Sequence, residues 1–196
     1  MLKSPFVIMI LALPLVSGCL GYPDKVKPVQ NFELNRYLGT WYEIARLDHS
    51  FERGLTHVRA QYALREDGGV DVINRGFSAE EDAWQEASGK AYFVNDATEA
   101  YLKVSFFGPF YGSYVIFELD QENYRYAFIS GPDTSYLWFL SRTPQVDEQL
   151  VQRFVERARS LGFDTADLIF PEQDCERLTQ DATNAFQEMA GRRPCQ

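Results

Sequence analysis

From residue 39 to residue 141, apolar and polar positions alternate in short runs, which is the pattern of strands that bury one face. The pattern predicts eight strands, at residues 39–46, 56–66, 70–77, 86–95, 100–107, 113–119, 124–130 and 135–141. Turn residues such as Asp67-Gly68-Gly69 and Gly131-Pro132-Asp133 separate neighbouring strands, as in antiparallel hairpins. Residues 31–38 predict a short helical turn that leads into the first strand.

Eight sequential strands joined by hairpins form either an up-and-down barrel or a sandwich. Several strands have one apolar and one polar face, as a closed sheet around a single interior requires. The apolar faces also include Ala60, Gly89 and Ala91, where a filled core would carry larger side chains. The sequence therefore favours an all-β fold, an eight-stranded antiparallel up-and-down barrel with inward space for a ligand.

The last strand is apolar on both faces, because Leu137 and Phe139 lie opposite Tyr136, Trp138 and Leu140. An amphipathic helix follows and supplies a cover for the outer face. Its expected N-cap is Thr143, with Pro144 at the first helical position and Gly162 at the end. Residues 168–170 predict a short final strand that pairs near the start of the sheet.

Composition is that of one ordinary globular domain, with 45% hydrophobic and 24% charged residues. Aromatic residues make up 15% of the chain and favour sheet over a helical bundle. The net charge of −9 argues against nucleic acid as a partner and against electrostatic docking on anionic lipid.

Residues 1–18 have the layout of a secretory signal, with Lys3, an apolar run from Phe6 to Val16 and then small residues. The run is too short for a spanning helix. Val16-Ser17-Gly18-Cys19 resembles the lipobox of bacterial lipoproteins, which implies that Cys19 becomes a lipidated N-terminus. In that class, Leu20 after the cysteine implies sorting to the bacterial outer membrane, on its periplasmic side. Residues 19–30 then form a tether, and the alternative is an ordinary signal with a chance cysteine.

The C-terminal extension, residues 172–196, carries the two remaining cysteines and a second amphipathic pattern that predicts a short helix. An even number of cysteines in an oxidising compartment suggests a disulfide between Cys175 and Cys195. A helix over residues 176–190 would hold the two apart unless the chain folds back or the helix frays, so both outcomes stay open. The extension itself is expected to pack on the barrel, on a partner or on nothing.

Two motifs carry a family resemblance. Gly39-Thr40-Trp41-Tyr42-Glu43 resembles the first signature of the lipocalins, and Leu140-Ser141-Arg142-Thr143-Pro144 resembles the third. Segments such as LGTWYEIARLDHSFERGL and YLWFLSRTP are similar to the apolipoprotein D-like bacterial outer-membrane branch. The resemblance covers about residues 30–171, and the predicted lipocalin domain is residues 31–171. It implies that Arg142 lies across the Trp41 ring at the closed end of the barrel, with Gly39 beside them.

Strand parity predicts a set of inward side chains: Ala60, Tyr62, Val72, Asn74, Ala91, Phe93, Val104, Phe106, Tyr114, Ile116, Tyr136 and Trp138. In a lipocalin such a surface binds a long apolar molecule, and the bacterial branch implies a fatty acid or a lysophospholipid. The resemblance thus implies a membrane-anchored lipid binder that stores or transports its ligand. The alternatives are a barrel filled by its own side chains, a protein-interaction module that includes a homodimer, and a lipocalin-fold enzyme.

Other candidate chemistry is weak, and no catalytic residue, metal site or cofactor is predicted. His49 and His57 are expected at the surface, because a metal site would need further ligands. The acidic run Glu80-Glu81-Asp82 reads as a solvated turn. Gly108-Pro109-Phe110-Tyr111-Gly112 lacks the lysine of a phosphate loop and reads as a turn with an aromatic rim at one end of the barrel.

Overall fold

Eight antiparallel strands close into a barrel in the computed structural model, which describes residues 20–185. Each strand pairs with its neighbours in sequence, and β8 returns to pair with β1, so the up-and-down topology predicted from the sequence is confirmed. The strands are β1 (Gly39–Arg46), β2 (Leu55–Leu64), β3 (Val70–Ser78), β4 (Ala83–Phe93), β5 (Tyr101–Ser105), β6 (Gly112–Leu119), β7 (Tyr126–Ser130) and β8 (Leu137–Ser141). A short helix, α1 (Leu34–Tyr37), precedes β1.

The predicted helix packs on the outside of the barrel as α2 (Glu148–Leu161). Its Phe154 ring lies 4.9 Å from that of Phe128 and 5.1 Å from that of Phe139, on the outer faces of β7 and β8. These rings belong to a second core, which is separate from the core inside the barrel. The apolar outer face of β8 is thereby removed from water.

The predicted start of this helix at Thr143 and Pro144 was wrong. The side chain of Asp147 accepts a hydrogen bond from the Leu150 N–H at 2.8 Å and is the N-cap. Thr143 instead donates its hydroxyl to the Gln145 carbonyl at 2.7 Å, which holds this segment in a turn before the helix begins. The predicted end at Gly162 agrees with the structure, where that residue is left-handed with φ 99°.

Residues 20–30, which the sequence suggests as a tether, lie along the outer wall of β5 and β6. The Gly21 N–H donates to the Tyr101 and Ser113 hydroxyls at 2.9 and 3.0 Å. Further along, the Val29 N–H donates to the Ile116 carbonyl at 2.9 Å, and Val26 is fully buried in the outer core. The segment therefore runs along the barrel wall from the first residues of β6 towards the closed end.

β1 and β2 pair only from Gly39–Tyr42 to Arg59–Tyr62, and bulges then interrupt both strands. Gln173 lies where the two strands diverge. Its side-chain amide donates to the Glu43 and Val58 carbonyls, at 2.8 Å each. One side chain from the C-terminal extension thus satisfies carbonyl groups that the two bulged strands do not satisfy for each other.

The rest of the described extension packs on the outer face of β2 and β3 as α3 (Cys175–Ala185), so the barrel itself is its binding surface. Leu178 is fully buried, and the buried Asp181 carboxylate accepts hydrogen bonds from Arg59 and Arg75. Arg177 lies over the Phe77 ring at 3.8 Å. Cys175 is disulfide-bonded, but Cys195 is outside the described residues, so the Cys175 to Cys195 pairing stays a prediction.

Among the helices within residues 20–185, none is long and apolar enough to cross a membrane. Residues 1–19, including the predicted signal and Cys19, are outside the described part of the chain.

The closed end of the barrel is built around Trp41, which is fully buried. The Arg142 guanidinium lies 3.9 Å from the centre of its ring. The same guanidinium donates to the Thr40, Arg36 and Leu38 carbonyls at 2.8 to 2.9 Å, and the indole N–H donates to the Tyr37 carbonyl at 2.7 Å. The indole ring, the guanidinium and the backbone carbonyls together close this end of the barrel.

We expect Trp41→Ala to lower the free energy of unfolding by about 3–5 kcal/mol, because the change empties the largest buried side chain at the closed end and leaves Arg142 without its ring. Urea unfolding followed by circular dichroism measures the loss. Phe110→Ala is the control, since that ring is 62% exposed and its removal should cost less than about 0.5 kcal/mol. Equal losses in the two variants would contradict the sealing role of Trp41.

Candidate functional site

Strand pairing places the predicted inward residues together on the inner wall of the barrel. Ten of the twelve belong to the inner core or pack against it: Ala60, Tyr62, Val72, Ala91, Phe93, Val104, Phe106, Tyr114, Ile116 and Trp138. Asn74 pairs with Ala60 across the β2–β3 ladder and so shares its face. Tyr136 lies in the β7–β8 loop at the open end, where its ring stacks on His49. The structure therefore brings all twelve to one wall or its mouth.

Part of this inner wall remains accessible. Phe93, Val104, Phe106, Tyr114 and Trp138 face inward but keep intermediate exposure. Because a packed core leaves its side chains almost no accessible surface, the barrel is not filled by its own side chains throughout.

The small inward residues do not all create space. A Cβ atom on Gly89 would lie 2.8 Å from the Phe106 ring and 2.7 Å from the Ser105 carbonyl oxygen. The Phe106 ring therefore occupies the room that the glycine provides, and the expectation that Gly89 leaves volume for a ligand was wrong.

Three tyrosine hydroxyls meet inside the barrel near the closed end. The Tyr114 hydroxyl lies 2.7 Å from that of Tyr37 and 2.9 Å from that of Tyr62. Burial raises the pKa of all three phenols above the ordinary value, so they stay neutral and act only as hydrogen-bonding groups. The Tyr37 ring also packs on Trp41 at 4.6 Å, which joins this cluster to the closed end.

A buried charged cluster, formed by Glu43, Arg46 and Glu52, lies at the open end of the inner wall. Arg46 donates to the Glu43 carboxylate at 2.6 Å and to the Glu52 backbone carbonyl at 2.8 Å. Trp138 donates its indole N–H to the Glu52 carboxylate at 3.0 Å. Burial raises the pKa of both carboxyls, and for Glu43 the charge of Glu52 adds to the effect.

Strand parity alone misses this cluster. Glu43 shares the inward face of Trp41, a signal that the sequence does contain. Arg46 reaches the same wall only because a bulge between Glu43 and Ala45 shifts the register. Glu52 comes from the β1–β2 loop, for which alternation says nothing. Strand parity predicts Asn74 and tyrosine hydroxyls as inward polar groups, and the structure adds the three charged residues to them.

Several polar atoms of the site have no hydrogen-bond partner among the described residues: Arg46 Nε, His49 Nε2 and Asn74 Oδ1. All three atoms are buried, and each keeps one hydrogen-bonding position that no described residue uses. Together with the charged cluster they make the open end polar, while the wall below is apolar.

Both histidines are buried, so the expected surface role was wrong. His49 stacks between Phe51 and Tyr136, with ring centres 5.2 and 4.7 Å apart. His57 lies in the β2 bulge with φ 53°, where its ring bonds Thr56 and Asp174. The alternation pattern indicates neither the β2 bulge nor the contact of His57 with the extension. Within residues 20–185, no three potential metal ligands lie together.

The remaining motifs lie at the open end. Glu80, Glu81 and Asp82 are exposed in the β3–β4 loop, in agreement with a solvated turn. Residues 108–111 belong to the β5–β6 loop and Gly112 begins β6, so the aromatic rim lies at the mouth. On the outside, a separate groove of about 270 Å³ runs between α2 and residues 170–173, and its lining does not include Glu43, Arg46 or Glu52.

A closed eight-stranded barrel with an apolar inner wall, a polar mouth and one helix on its outside defines a calyx-shaped binding protein. Residues 32–173 match the model of the lipocalin-like domain family, and the chain belongs to that family.

Similar proteins support this family assignment. The chain is 62% identical to the outer membrane lipoprotein Blc of Vibrio cholerae, over 85% of this chain and 98% of the relative. It is 50% identical to the protein of the same name from Escherichia coli K12, over 86% of this chain and 96% of that one. Among solved structures, insecticyanin from the tobacco hornworm has the same fold, with a TM-score of 0.62 and 22% identity over 78% of this chain and 86% of its own.

Burial lowers the pKa of His49 to about 4, so the folded protein holds this ring neutral. In the unfolded chain the ring takes up a proton near pH 6.5. The unfolded state therefore binds more protons between these values, and stability falls as the pH falls from about 6.5 to 4. We expect the wild type to lose up to about 3 kcal/mol relative to His49→Phe over this range, since the variant keeps the ring stack and cannot titrate.

Urea unfolding of both proteins between pH 7 and pH 4 measures this difference. The comparison removes the contributions of Glu43 and Glu52, which are common to the two proteins. Parallel stability curves would contradict the lowered pKa, because they would show that His49 takes up its proton equally in the folded and unfolded states.

Proposed function

We propose that this protein binds a fatty acid or a lysophospholipid inside the barrel and stores or transports it at the bacterial outer membrane. The observation that carries the proposal is the inner wall, where apolar side chains keep accessible surface below a polar mouth. Sites for small apolar molecules combine such walls with a few placed polar groups. The names of the relatives support the outer-membrane location and the lipid anchor.

In this proposal the acyl chain lies along Val104, Phe93 and Phe106, which keep accessible surface, and the polar end of the ligand lies at the mouth. There Arg46 Nε and His49 Nε2, which have no hydrogen-bond partner among the described residues, supply hydrogen bonds to the ligand. The hydrophobic effect supplies most of the binding energy, at about 0.8 kcal/mol for each buried methylene. The natural ligand is therefore distinguished by its polar end more than by its chain length.

The charged cluster supports binding rather than catalysis. Both carboxylates already accept bonds from protein donors, Glu43 from Arg46 and Glu52 from Trp138. A general acid or base must instead be free to reach the substrate. We therefore propose that the protein is not an enzyme.

The extension gives little support to a protein-interaction role. Leu178 on α3 is fully buried against the protein's own barrel, and Asp181 is held there by two arginines. Dimerisation independent of lipid stays a prediction.

The lipid-binding proposal is tested by uptake of a fluorescent fatty acid and a fluorescent lysophospholipid into the chain without its anchor. We expect micromolar or tighter binding of at least one. Val104→Trp should weaken it about tenfold, because overpacking an inner wall costs about 1–3 kcal/mol. Lys103→Trp is the matched control, because Lys103 is the neighbouring residue on the outer face and should leave binding unchanged. Saturating titrations without uptake by the wild type would overturn the proposal.

A further inference from the structure

Three of the most exposed aromatic side chains lie at one end of the barrel. Phe51 in the β1–β2 loop is 56% exposed, and Phe107 and Phe110 in the β5–β6 loop are 78% and 62% exposed. In an up-and-down barrel these two loops lie at the same end, which here is the open mouth. Large apolar side chains held in water at one site mark a surface that contacts an apolar partner.

The β5–β6 loop also lies close to the predicted anchor. Gly21 is bonded to Ser113, and Ser113 is the second residue of β6, directly after this loop. From there the N-terminal segment runs towards the closed end, since Val29 bonds to Ile116 three residues further along β6. The chain before Gly21 therefore leaves the barrel wall beside the open end.

The distance from this point to the lipid-bearing residue is short. Leu20 is the first described residue and is 46% exposed, and Cys19 precedes it directly. Consecutive Cα atoms are about 3.8 Å apart. Acyl chains on Cys19 would thus enter a bilayer close to the loop that carries Phe107 and Phe110.

Charge around the mouth is uneven. The β3–β4 loop carries the exposed Glu80, Glu81 and Asp82, and an anionic surface would repel it. The β5–β6 side instead carries a positive charge, because the Lys103 ammonium lies 5.2 Å from the Tyr111 ring. Aromatic rings next to a lysine are typical of side chains at a membrane interface.

We propose that the barrel docks mouth-first on the membrane that holds its anchor, with Phe107 and Phe110 inserted between the lipid head groups. The partner is a lipid surface, because the anchor attaches beside these two rings and fixes them within reach of it. Insertion depends on apolar contact and not on electrostatic attraction, so it is compatible with the net charge of −9. The acidic β3–β4 loop is tilted away from the bilayer.

The test uses the lipidated full-length protein in vesicles of phosphatidylethanolamine, phosphatidylglycerol and brominated phosphatidylcholine. Phe110→Trp places a reporter on the rim. Leu64→Trp is the matched control, since Leu64 is 55% exposed but lies at the closed end of β2. The other tryptophans are the same in both variants, so their emission is common background.

We expect the emission of Phe110→Trp to shift to shorter wavelength in vesicles. We also expect bromines near the glycerol end of the acyl chain to quench it more than bromines near the methyl end, because interfacial side chains reach only about 5–10 Å into the bilayer. Leu64→Trp should show neither change. Equal behaviour of the two variants would overturn the proposal. A blue shift that grows with protein density but comes without bromine quenching would show that the rim contacts a second copy of the protein. That result would also overturn the proposal.

A second measurement links docking to lipid exchange and rests on the proposed function. In the double variant Phe107→Ser with Phe110→Ser, we expect a fluorescent lysophospholipid to move from vesicle to barrel more slowly, with unchanged uptake from free solution. Unchanged transfer by the double variant, with bromine quenching still observed for Phe110→Trp, would leave docking correct but separate it from ligand loading. If the wild type shows no uptake from solution, the lipid-binding proposal alone fails, because bromine quenching requires no ligand.

Discussion

The structure depends on the contact of one guanidinium with one indole ring. Arg142, just after the last strand, covers Trp41, in the first strand, and donates to the Leu38 and Thr40 carbonyls, which precede Trp41 in the chain. Removing this guanidinium from water lowers its pKa, and the ring and carbonyl groups replace the lost hydration. Because the contact joins the two ends of the sheet, it also fixes the β1–β8 pairing that closes the barrel. The tyrosine cluster rests on this closed end and forms the floor of the site.

Most of the barrel could be predicted from the sequence, because strand alternation has a period of two and hairpin turns have recognisable residues. The predicted inward residues lie on the inner wall for the same reason: residues such as Ala60 and Val72 stay in phase along regular ladders. The prediction fails where a bulge adds a residue. One extra residue reverses the face of every side chain that follows it, so Arg46 and His57 could not be placed from the pattern alone.

The bulges also explain how Arg46 reaches the charged cluster and where the extension contacts the barrel. A regular β1–β2 ladder would satisfy its own backbone groups and would leave Gln173 without partners. The bulged strands leave the Glu43 and Val58 carbonyls available, and Gln173 accordingly occupies the gap. Gln173 is the last residue of the family match and α3 follows directly, so this segment connects the common fold to the extension. Nothing in the amphipathic pattern of the extension indicates which surface it covers.

The two ends of the barrel therefore face different environments. The closed end has its polar groups bonded to one another, so it needs neither water nor a partner. The open end keeps buried polar atoms that have no hydrogen-bond partner within residues 20–185, and it carries exposed aromatic rings. The polar atoms suit the polar head of a ligand, and the rings suit an apolar surface. A lipid has a polar head and an apolar chain, and a bilayer presents both in a surface. A mouth held against that surface by the protein's own anchor would take a lipid from it without exposing the acyl chain to water. The free-energy cost of such exposure rises with each methylene.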